Sequence, residues 1–419
     1  MRWSSFRHFC YFLGAIFVFT ILTGCGNNRI NSSSYEEEFL PEEDYDYREY
    51  SWLQNMGAHY LAECDGNLYF LLEGYIFVHN PDSGATVPLC SKTDCLHEKE
   101  DNPDRVLYCD AFAGYISLTT PFINEWQGKL YLFRMDRQEG DNILVECDPD
   151  GTHQKVLFRT SQQNVIRLCI MHRGVIYLVM ESSDVTGQTG GLYAISCVKN
   201  GSAATLIYEE PVGEQWVQNI LPYGNYLYFE DCVQEEGGYN VRIMRYDIRT
   251  SEVAQYIDHE NHSLQIEGIR NGNLWIRDSD GFYLVDDTTR EMIYDEGGPN
   301  AFLNNYPGYT VQPQYLSEEA FMVLMFDKTS YEFDYGLKIF SRDGSQLCEI
   351  ENAGWEVIGG SPRITLHGED YLVRFLTTRE KPKTIAAYRV KDLTAGVVDP
   401  YIIYQYDDIS SKSYSGPWK

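Results

Sequence analysis

The stretch Cys64-Asp-Gly-Asn-Leu-Tyr-Phe70 joins a tight turn to a run of strand-forming apolar residues, and it decides the fold because it recurs. Six further copies, the last two degraded, lie at Trp126–Leu132, His172–Leu178, Tyr223–Phe229, Asn271–Ile276, Glu319–Leu324 and Gly368–Val373. Equivalent positions in successive copies are separated by 62, 46, 51, 47, 47 and 51 residues. A period of about 48 residues matches the four strands of a β-propeller blade and is too long for a leucine-rich or ankyrin repeat.

A second strand phrase follows each copy and runs into another turn, often through Asp-Gly, Asn-Gly or Ser-Gly. These dipeptides supply the positive backbone angles that tight hairpins need, so each unit is predicted to be a chain of antiparallel strands. One such unit cannot cover both of its own faces, and the units are therefore expected to stack around a ring. The sequence predicts an all-β fold, a single β-propeller of about seven four-stranded blades within residues 51–406.

The blade count and the closure of the ring are less constrained than the fold. Six or eight blades remain open because the copy at residues 319–324 is degraded. Either Tyr401–Tyr406 or His59–Glu63 is expected to complete a blade shared by the two chain ends. Ring closure removes most exposed sheet edges, which predicts a monomer.

Residues 1–24 have the layout of a lipoprotein signal peptide. Two arginines precede the apolar run Phe9–Leu22, which is short for a membrane-spanning helix. The following Leu22-Thr23-Gly24-Cys25 resembles the lipobox of bacterial lipoproteins, in which the cysteine is diacylated and becomes the first residue of the mature chain. This resemblance implies lipidation of Cys25 and a protein anchored to the cell membrane by lipid, facing the extracellular side.

Residues 25–50 are polar and acidic, so they are predicted to form a disordered linker, and residues 407–419 a C-terminal tail. The formal net charge of −29 argues against nucleic acid and anionic lipid headgroups as partners. The expected partners are the membrane, through the lipid anchor, and an extracellular peptide, glycan or protein.

The one long step between repeats contains a cluster of cysteine and histidine. Cys90, Cys95, His97 and Cys109 lie within twenty residues, in an insertion at about residues 88–112. Three thiolates and an imidazole can form the tetrahedral ligand set that zinc prefers, so a structural Zn²⁺ is one interpretation. Because the chain is exported, a disulfide joining Cys109 to Cys95 or to Cys90 is a second. A third interpretation is that the three cysteines are reduced thiols without a role.

The remaining cysteines beyond Cys25 are scattered on or beside predicted strands. We expect them to be small apolar core residues: Cys64, Cys147, Cys169, Cys197, Cys232 and Cys348.

The phrase Val87–His97, followed by Cys109-Asp-Ala-Phe112 and preceded by a lipobox, resembles a group of lipoproteins from anaerobic Gram-positive bacteria of the gut clostridial type. The repeats of that group are similar to the propeller of low-density-lipoprotein-receptor type, and its function is mostly unassigned. The receptor-type phrase Tyr-Trp-Thr-Asp is absent from this sequence. The resemblance therefore implies a location and a fold, and no reaction.

Three functions are compatible with the sequence. The first is a non-enzymatic propeller that binds a peptide, glycan or partner protein. The second is a secreted polysaccharide hydrolase or lyase, which would need carboxylates about 5 to 9 Å apart at the propeller channel. The third is a structural scaffold in an envelope complex. His-Glu-x-x-His, Gly-x-Ser-x-Gly and a glycine-rich phosphate loop are all absent from the sequence.

Overall fold

The computed structural model describes residues between 61 and 406. The chain divides into two units, Met1–Asn31 and Ser32–Lys419, and every described residue belongs to the second. The described ranges are 61–72, 74–100, 102–114, 122–136, 139–161, 163–184, 187–197, 203–210, 215–236, 238–257, 264–270, 273–278, 281–286, 289–295, 309–317, 319–327, 333–341, 343–350, 356–357, 363–366, 368–377 and 383–406. The predicted signal peptide (1–24), Cys25, the linker (25–50) and the tail (407–419) lie outside the described residues.

The first four sheets each contain four strands. Blade 1 consists of β1 (Leu61–Cys64), β2 (Asn67–Leu72), β3 (Tyr75–Asn80) and β4 (Ala85–Pro88). Blade 2 consists of β5 (Ile123–Trp126), β6 (Lys129–Met135), β7 (Asn142–Cys147) and β8 (Lys155–Thr160). Blade 3 consists of β9 (Asn164–His172), β10 (Val175–Asp184), β11 (Gly187–Ser196) and β12 (Thr205–Glu210). Blade 4 consists of β13 (Gln215–Tyr223), β14 (Tyr226–Glu235), β15 (Gly238–Asp247) and β16 (Glu252–Ile257).

Three further sheets complete the set. Blade 5 consists of β17 (Gln265–Arg270), β18 (Asn273–Arg277), β19 (Gly281–Val285) and β20 (Arg290–Asp295). Blade 6 consists of β21 (Tyr309–Tyr315), β22 (Ala320–Asp327), β23 (Phe333–Ser341) and β24 (Gln346–Ile350). Blade 7 consists of β25 (Glu356–Val357), β26 (Arg363–Leu366), β27 (Glu369–Thr377), β28 (Lys383–Arg389) and β29 (Pro400–Tyr406).

The helices of the described part are a 3-10 turn (His97–Lys99), α1 (Pro103–Val106) and α2 (Val390–Thr394). No helix of the described residues is both long and apolar enough to cross a membrane.

Seven antiparallel sheets confirm the predicted seven-bladed, all-β propeller. The recurring phrase is the turn between the first and second strands of a blade together with the second strand, as in β1–β2. First strands of neighbouring blades contact one another, for example β13 with β9 and β17, which places them on the inside of the ring. Blade 7 differs from the others because β25 and β26 both pair with β27, so its first strand is interrupted.

The expectation of a blade shared by the two chain ends is wrong. Residues 401–406 lie in β29, the fourth strand of blade 7, and residues 61–63 lie in β1, the first strand of blade 1. Each blade is therefore built from one continuous stretch, because the last repeat has its own fourth strand and the first repeat its own first strand. Side chains join the two blades: Tyr404 packs 5.1 Å from Phe77, and His79 Nε2 lies 2.7 Å from the hydroxyl of Tyr401.

The apolar core is divided into clusters that lie between blades. One cluster combines Phe70 and Phe77 of blade 1 with Val373 and Ile385 of blade 7. Other clusters join blade 1 to blade 2, blade 2 to blade 3, and blade 6 to blade 7. The buried side chains of each sheet are thus covered by its neighbours, which is why an isolated blade would not be stable.

Buried carboxylates reinforce the contacts between blades 3, 4 and 5. The pairing register shifts in the first strand of each of these blades, at Arg167, Gln218 and Glu267. Such a bulge leaves backbone groups without partners in the sheet. The N–H of Val217 donates to Glu210 of blade 3, and the N–H of Ile266 donates to Glu230 of blade 4.

Side chains of the preceding blade also bind the carbonyls of the same two residues. Arg167 Nη1 donates to the Val217 carbonyl at 3.1 Å, and Asn219 Nδ2 donates to the Ile266 carbonyl at 3.1 Å. Both backbone groups of Val217 and of Ile266 are therefore satisfied by the neighbouring blade, which fixes one blade against the next.

We predict that the free energy of unfolding falls as pH rises from 5 to 8. Burial raises the pKa of Glu230 and of Glu267 from 4.5 to about 7, so the folded state binds more protons than the unfolded state between these values. Stability from this source is complete below about pH 4.5 and is lost as pH approaches 7. The expected loss is about 2 to 3 kcal/mol for each group, measured by urea unfolding.

Glu267→Gln should remove at least about half of that pH dependence, because it deletes one titrating group and one like charge near Glu230. Glu252→Gln, on the exposed face of β16, is the matched control and should leave the dependence unchanged. Equal pH dependence in the wild type and Glu267→Gln would contradict the prediction.

Candidate metal centre

The predicted insertion lies in the connection between blades 1 and 2. This connection covers residues 89–122, a longer stretch than the predicted 88–112, and it contains the 3-10 turn and α1. Because the strands of a blade alternate in direction, the end of β4 and the turn between β2 and β3 lie at the same end of the blade. The N–H of Leu89 donates to the carbonyl of Ile76 at 2.8 Å, so the insertion leaves the sheet beside that turn.

The structure brings together all four residues that the sequence singled out. One potential ligand atom from each of Cys90, Cys95, His97 and Cys109 lies within 4.8 Å of the others. Cys109 Sγ is 3.6 Å from His97 Nδ1. Cys109 is fully buried and the other three side chains are half-buried.

Local backbone structure positions three of the four side chains of the cluster. Cys90 follows β4 directly, and its N–H donates to the Pro88 carbonyl at 2.8 Å. His97 has a φ of 54°, a left-handed conformation that is uncommon for a residue other than glycine. Cys109 comes after α1, and its N–H donates to the Val106 carbonyl at 3.1 Å. Two arms, residues 90–97 and 105–110, therefore bring their side chains to one point.

Polar contacts join the two arms beside the cluster. Lys92 Nζ donates to the Tyr108 carbonyl at 2.6 Å and to Asp110 Oδ1 at 2.8 Å. Arg105 Nη2 donates to the Asp94 carbonyl at 2.9 Å. These contacts are partly exposed, so each contributes little stability by itself.

The second arm continues into both neighbouring blades. The N–H of Ile76 donates to the carbonyl of Ala111, and Ala113 donates its own N–H to Gly74 of blade 1, each at 2.8 Å. The carbonyl of Ala113 accepts the N–H of Met135 in blade 2 at 2.7 Å. Residues 111–113 thus act as a short extended segment that is hydrogen-bonded to both blades.

The surroundings of Cys90 favour a thiolate. Burial raises its pKa, but the backbone N–H groups of Lys92, Asp110 and Ala111, with the Cys109 side chain, outweigh burial and hold the pKa of Cys90 below its usual value. Burial and the neighbouring thiols raise the pKa of Cys109. The pKa values of the two thiols are therefore shifted in opposite directions, and Cys90 loses its proton more readily than Cys109.

The other described cysteines lie away from this cluster. Cys64, Cys147, Cys169, Cys197 and Cys232 are buried, which confirms the core prediction for these five. Cys348 is half-buried, and its Sγ donates to the Leu393 carbonyl at 3.4 Å. All nine cysteines in the described part of the chain are free thiols.

Three glutamates beside the inner strands of blades 3 to 5 were not predicted as a group: Glu210, Glu230 and Glu267. Glu210 binds Arg167 Nη2 at 2.6 Å, and Glu267 binds Arg277 Nε at 2.9 Å. All three are 5% exposed or less. A carboxylate that is sealed in this way and committed to an ion pair or a backbone N–H cannot reach a polymeric substrate.

No protein-family model matches the chain, and no curated protein matches it. The propeller domain of the Trilobed protease from Pyrococcus furiosus, described as having an open velcro topology, is similar with a TM-score of 0.50 and 9% identity, covering 83% of this chain and 97% of that one. A prolyl endopeptidase is similar with a TM-score of 0.50 and 10% identity, covering 84% of this chain and 50% of that one. An acylaminoacyl peptidase has a TM-score of 0.49 and 12% identity, covering 83% and 52%.

The chain spans about half the length of these last two peptidases. At such identities the likeness shows the propeller fold alone.

We predict that Gly114→Ala destabilises the junction of the insertion and blade 2 more than Gly84→Ala destabilises its turn. Both glycines have positive φ, 93° and 68°. A Cβ at Gly114 would lie 2.7 Å from Met135 Cβ, whereas a Cβ at Gly84 meets nothing within 4 Å. Urea unfolding should show a loss of about 1 kcal/mol for Gly84→Ala, and about 1 to 3 kcal/mol more for Gly114→Ala. Equal losses would show that Met135 moves aside freely.

Proposed function

We propose that this protein is a lipid-anchored, extracellular β-propeller that binds a peptide or partner protein and catalyses no reaction. The observation that carries the proposal is the insertion between blades 1 and 2, which presents exposed side chains from a segment hydrogen-bonded to both blades. Leu96 is 54% exposed and Tyr108 is 43% exposed. Exposed apolar and aromatic side chains are typical of protein-binding surfaces.

The charged residues of the insertion add a polar rim to this surface. Arg105 is exposed, and the Lys92 ammonium lies 4.1 Å from the centre of the Tyr108 ring. Tyrosine and arginine are enriched among the residues that contribute most to protein–protein binding. A polypeptide ligand is favoured over a glycan because Leu96 offers an aliphatic contact and no hydrogen bond.

A polysaccharide hydrolase or lyase is the weaker alternative. It would require a pair of accessible carboxylates. The three glutamates beside the inner strands of blades 3 to 5 are buried. Glu210 and Glu230 hold neighbouring blades together and Glu267 is paired with Arg277, which favours binding over catalysis. A scaffold role in an envelope complex is a special case of protein binding, and the identity of the partner would distinguish it.

The insertion surface can be tested with a double variant, Leu96→Asp with Tyr108→Ala. The intact protein on the surface of a Gram-positive host should be cross-linked to an extracellular polypeptide, and the double variant should lose that cross-link by at least about tenfold. Val156→Asp is the matched control, because Val156 is 46% exposed on β8 of blade 2 and lies outside the insertion. It should leave the cross-link unchanged.

The outcomes separate polypeptide binding from glycan binding and from catalysis. Loss of the cross-link in both variants, or in neither, would contradict binding through the insertion. Release of reducing sugar from polysaccharide, with no polypeptide partner, would replace the proposal by the hydrolase or lyase. Retention by a glycan array alone would replace the polypeptide ligand by a glycan.

The anchor is tested by Cys25→Ser. A lipid-modified cysteine is expected to hold the protein in the membrane fraction, since two acyl chains suffice for stable attachment. The variant should lose incorporation of labelled palmitate and either appear in the medium or accumulate as the unprocessed precursor. Cys348→Ser, a half-buried cysteine of blade 6, should behave as the wild type. Palmitate incorporation that persists in Cys25→Ser would contradict the anchor.

A further inference from the structure

We propose that Cys90, Cys95, His97 and Cys109 bind one Zn²⁺ ion as a closed structural site. The inference stands independently of the proposed binding function. It rests on the geometry of the four donors, on the backbone that brings them together, and on how little else holds the insertion together.

The donor spacing fits a tetrahedral ion. Zinc lies about 2.3 Å from thiolate sulfur and about 2.0 Å from imidazole nitrogen, so the edges of the tetrahedron are about 3.5 Å between sulfur and nitrogen and about 3.8 Å between two sulfurs. The observed separation of Cys109 Sγ and His97 Nδ1 is 3.6 Å, and all four donor atoms lie within 4.8 Å of one another. Small side-chain rotations are enough to place every donor at its bonding distance.

The backbone of the two arms brings the donors to one point. Cys90 directly follows β4, and Cys109 follows α1, where its N–H donates to the Val106 carbonyl at 3.1 Å. The left-handed backbone of His97 directs its imidazole to the same point, which a disulfide between two of the cysteines would not require.

The donor types select the metal class and the role. Three thiolates and one imidazole are soft ligands that suit Zn²⁺ and do not suit Mg²⁺ or Ca²⁺. Four protein ligands leave no open coordination position for water or substrate, so the ion is structural.

The ion would supply the cross-link that the insertion otherwise lacks. Its two helical segments are only three and four residues long. The apolar core between blades 7 and 1 includes four residues of the insertion: Val106, Cys109, Ala111 and Phe112. The arm with Cys90, Cys95 and His97 has fewer buried side chains, so removing the metal should release this arm first. The core between blades 2 and 3 contains no residue of either arm and should remain intact.

The first experiment measures metal and thiols on the full-length protein purified in detergent. Elemental analysis should find about one zinc per chain. Replacement of zinc by Co²⁺ should give sulfur-to-cobalt charge-transfer bands and the intense visible bands of a tetrahedral site. Chelation under native conditions should make Cys90, Cys95 and Cys109 reactive to alkylation, while the five buried core cysteines stay protected.

Variants assign the ligands. Cys95→Ser and His97→Ala each remove one donor from the partly buried arm and should lower zinc affinity by more than about tenfold. Cys348→Ser is the matched control and should keep the full zinc content. If Cys95→Ser fails to fold, His97→Ala with limited proteolysis provides the second measurement. Cleavage should then appear within residues 90–110 while the rest of the ring resists.

Two results would overturn the proposal. One is a disulfide joining Cys109 to Cys90 or Cys95, found by mass spectrometry after alkylation without reduction, in protein that holds no zinc. The other is a set of reduced thiols that takes up neither Zn²⁺ nor Co²⁺. Zinc binding with an intact insertion but no polypeptide partner would support this inference and contradict only the proposed function.

Discussion

Coverage of the sheet faces is the constraint on which the rest of this structure depends. Five consecutive apolar residues are buried in β2 and four in β6, so both faces of each strand contain buried apolar side chains. A strand of this kind cannot border solvent, and a four-stranded sheet built from such strands must be packed on both sides. Seven sheets meet this requirement only as a closed ring. The ends of the chain are then brought together by packing of Phe77 against Tyr404, with no strand exchanged between them.

Packing of apolar faces does not by itself fix the angle between one blade and the next. The bulges in β9, β13 and β17 leave backbone N–H and carbonyl groups unpaired at the inner edge of the sheets. Glu210 and Glu230 satisfy two of these N–H groups from the preceding blade. A buried carboxylate is costly unless it is fully hydrogen-bonded, so each contact ties two blades together in one geometry. Acidic residues that could suggest catalysis are therefore part of the framework.

The insertion departs from the repeat and obeys a different constraint. It lies at one end of blades 1 and 2, and residues 111–113 join Gly74 and Ile76 to Met135. Its helical segments are too short to be stable alone, so the insertion depends on the two blades and on the contacts among its own side chains. Four metal-binding side chains converge at the point where its two arms meet. Within the described residues, the insertion is the part where potential metal ligands and exposed apolar side chains lie in the same segment.

The sequence by itself determined the architecture and the membership of the cluster. The turn-and-strand phrase, repeated about every 48 residues, is a local pattern. The cluster is also local, because its members lie within twenty residues: Cys90, Cys95, His97 and Cys109. Both can therefore be recognised in the sequence alone. The way the ring closes without a shared blade, the interrupted first strand of blade 7 and the roles of Glu210, Glu230 and Glu267 were decided only by the tertiary structure. The closure of the ring and the roles of Glu210 and Glu230 depend on contacts between residues of different blades. A buried acid beside a bulge also has the same local sequence signature as an exposed acid at the end of a strand. The physical reason is that strand propensity acts over a few residues, whereas the partner of a buried charge is selected by packing across the ring.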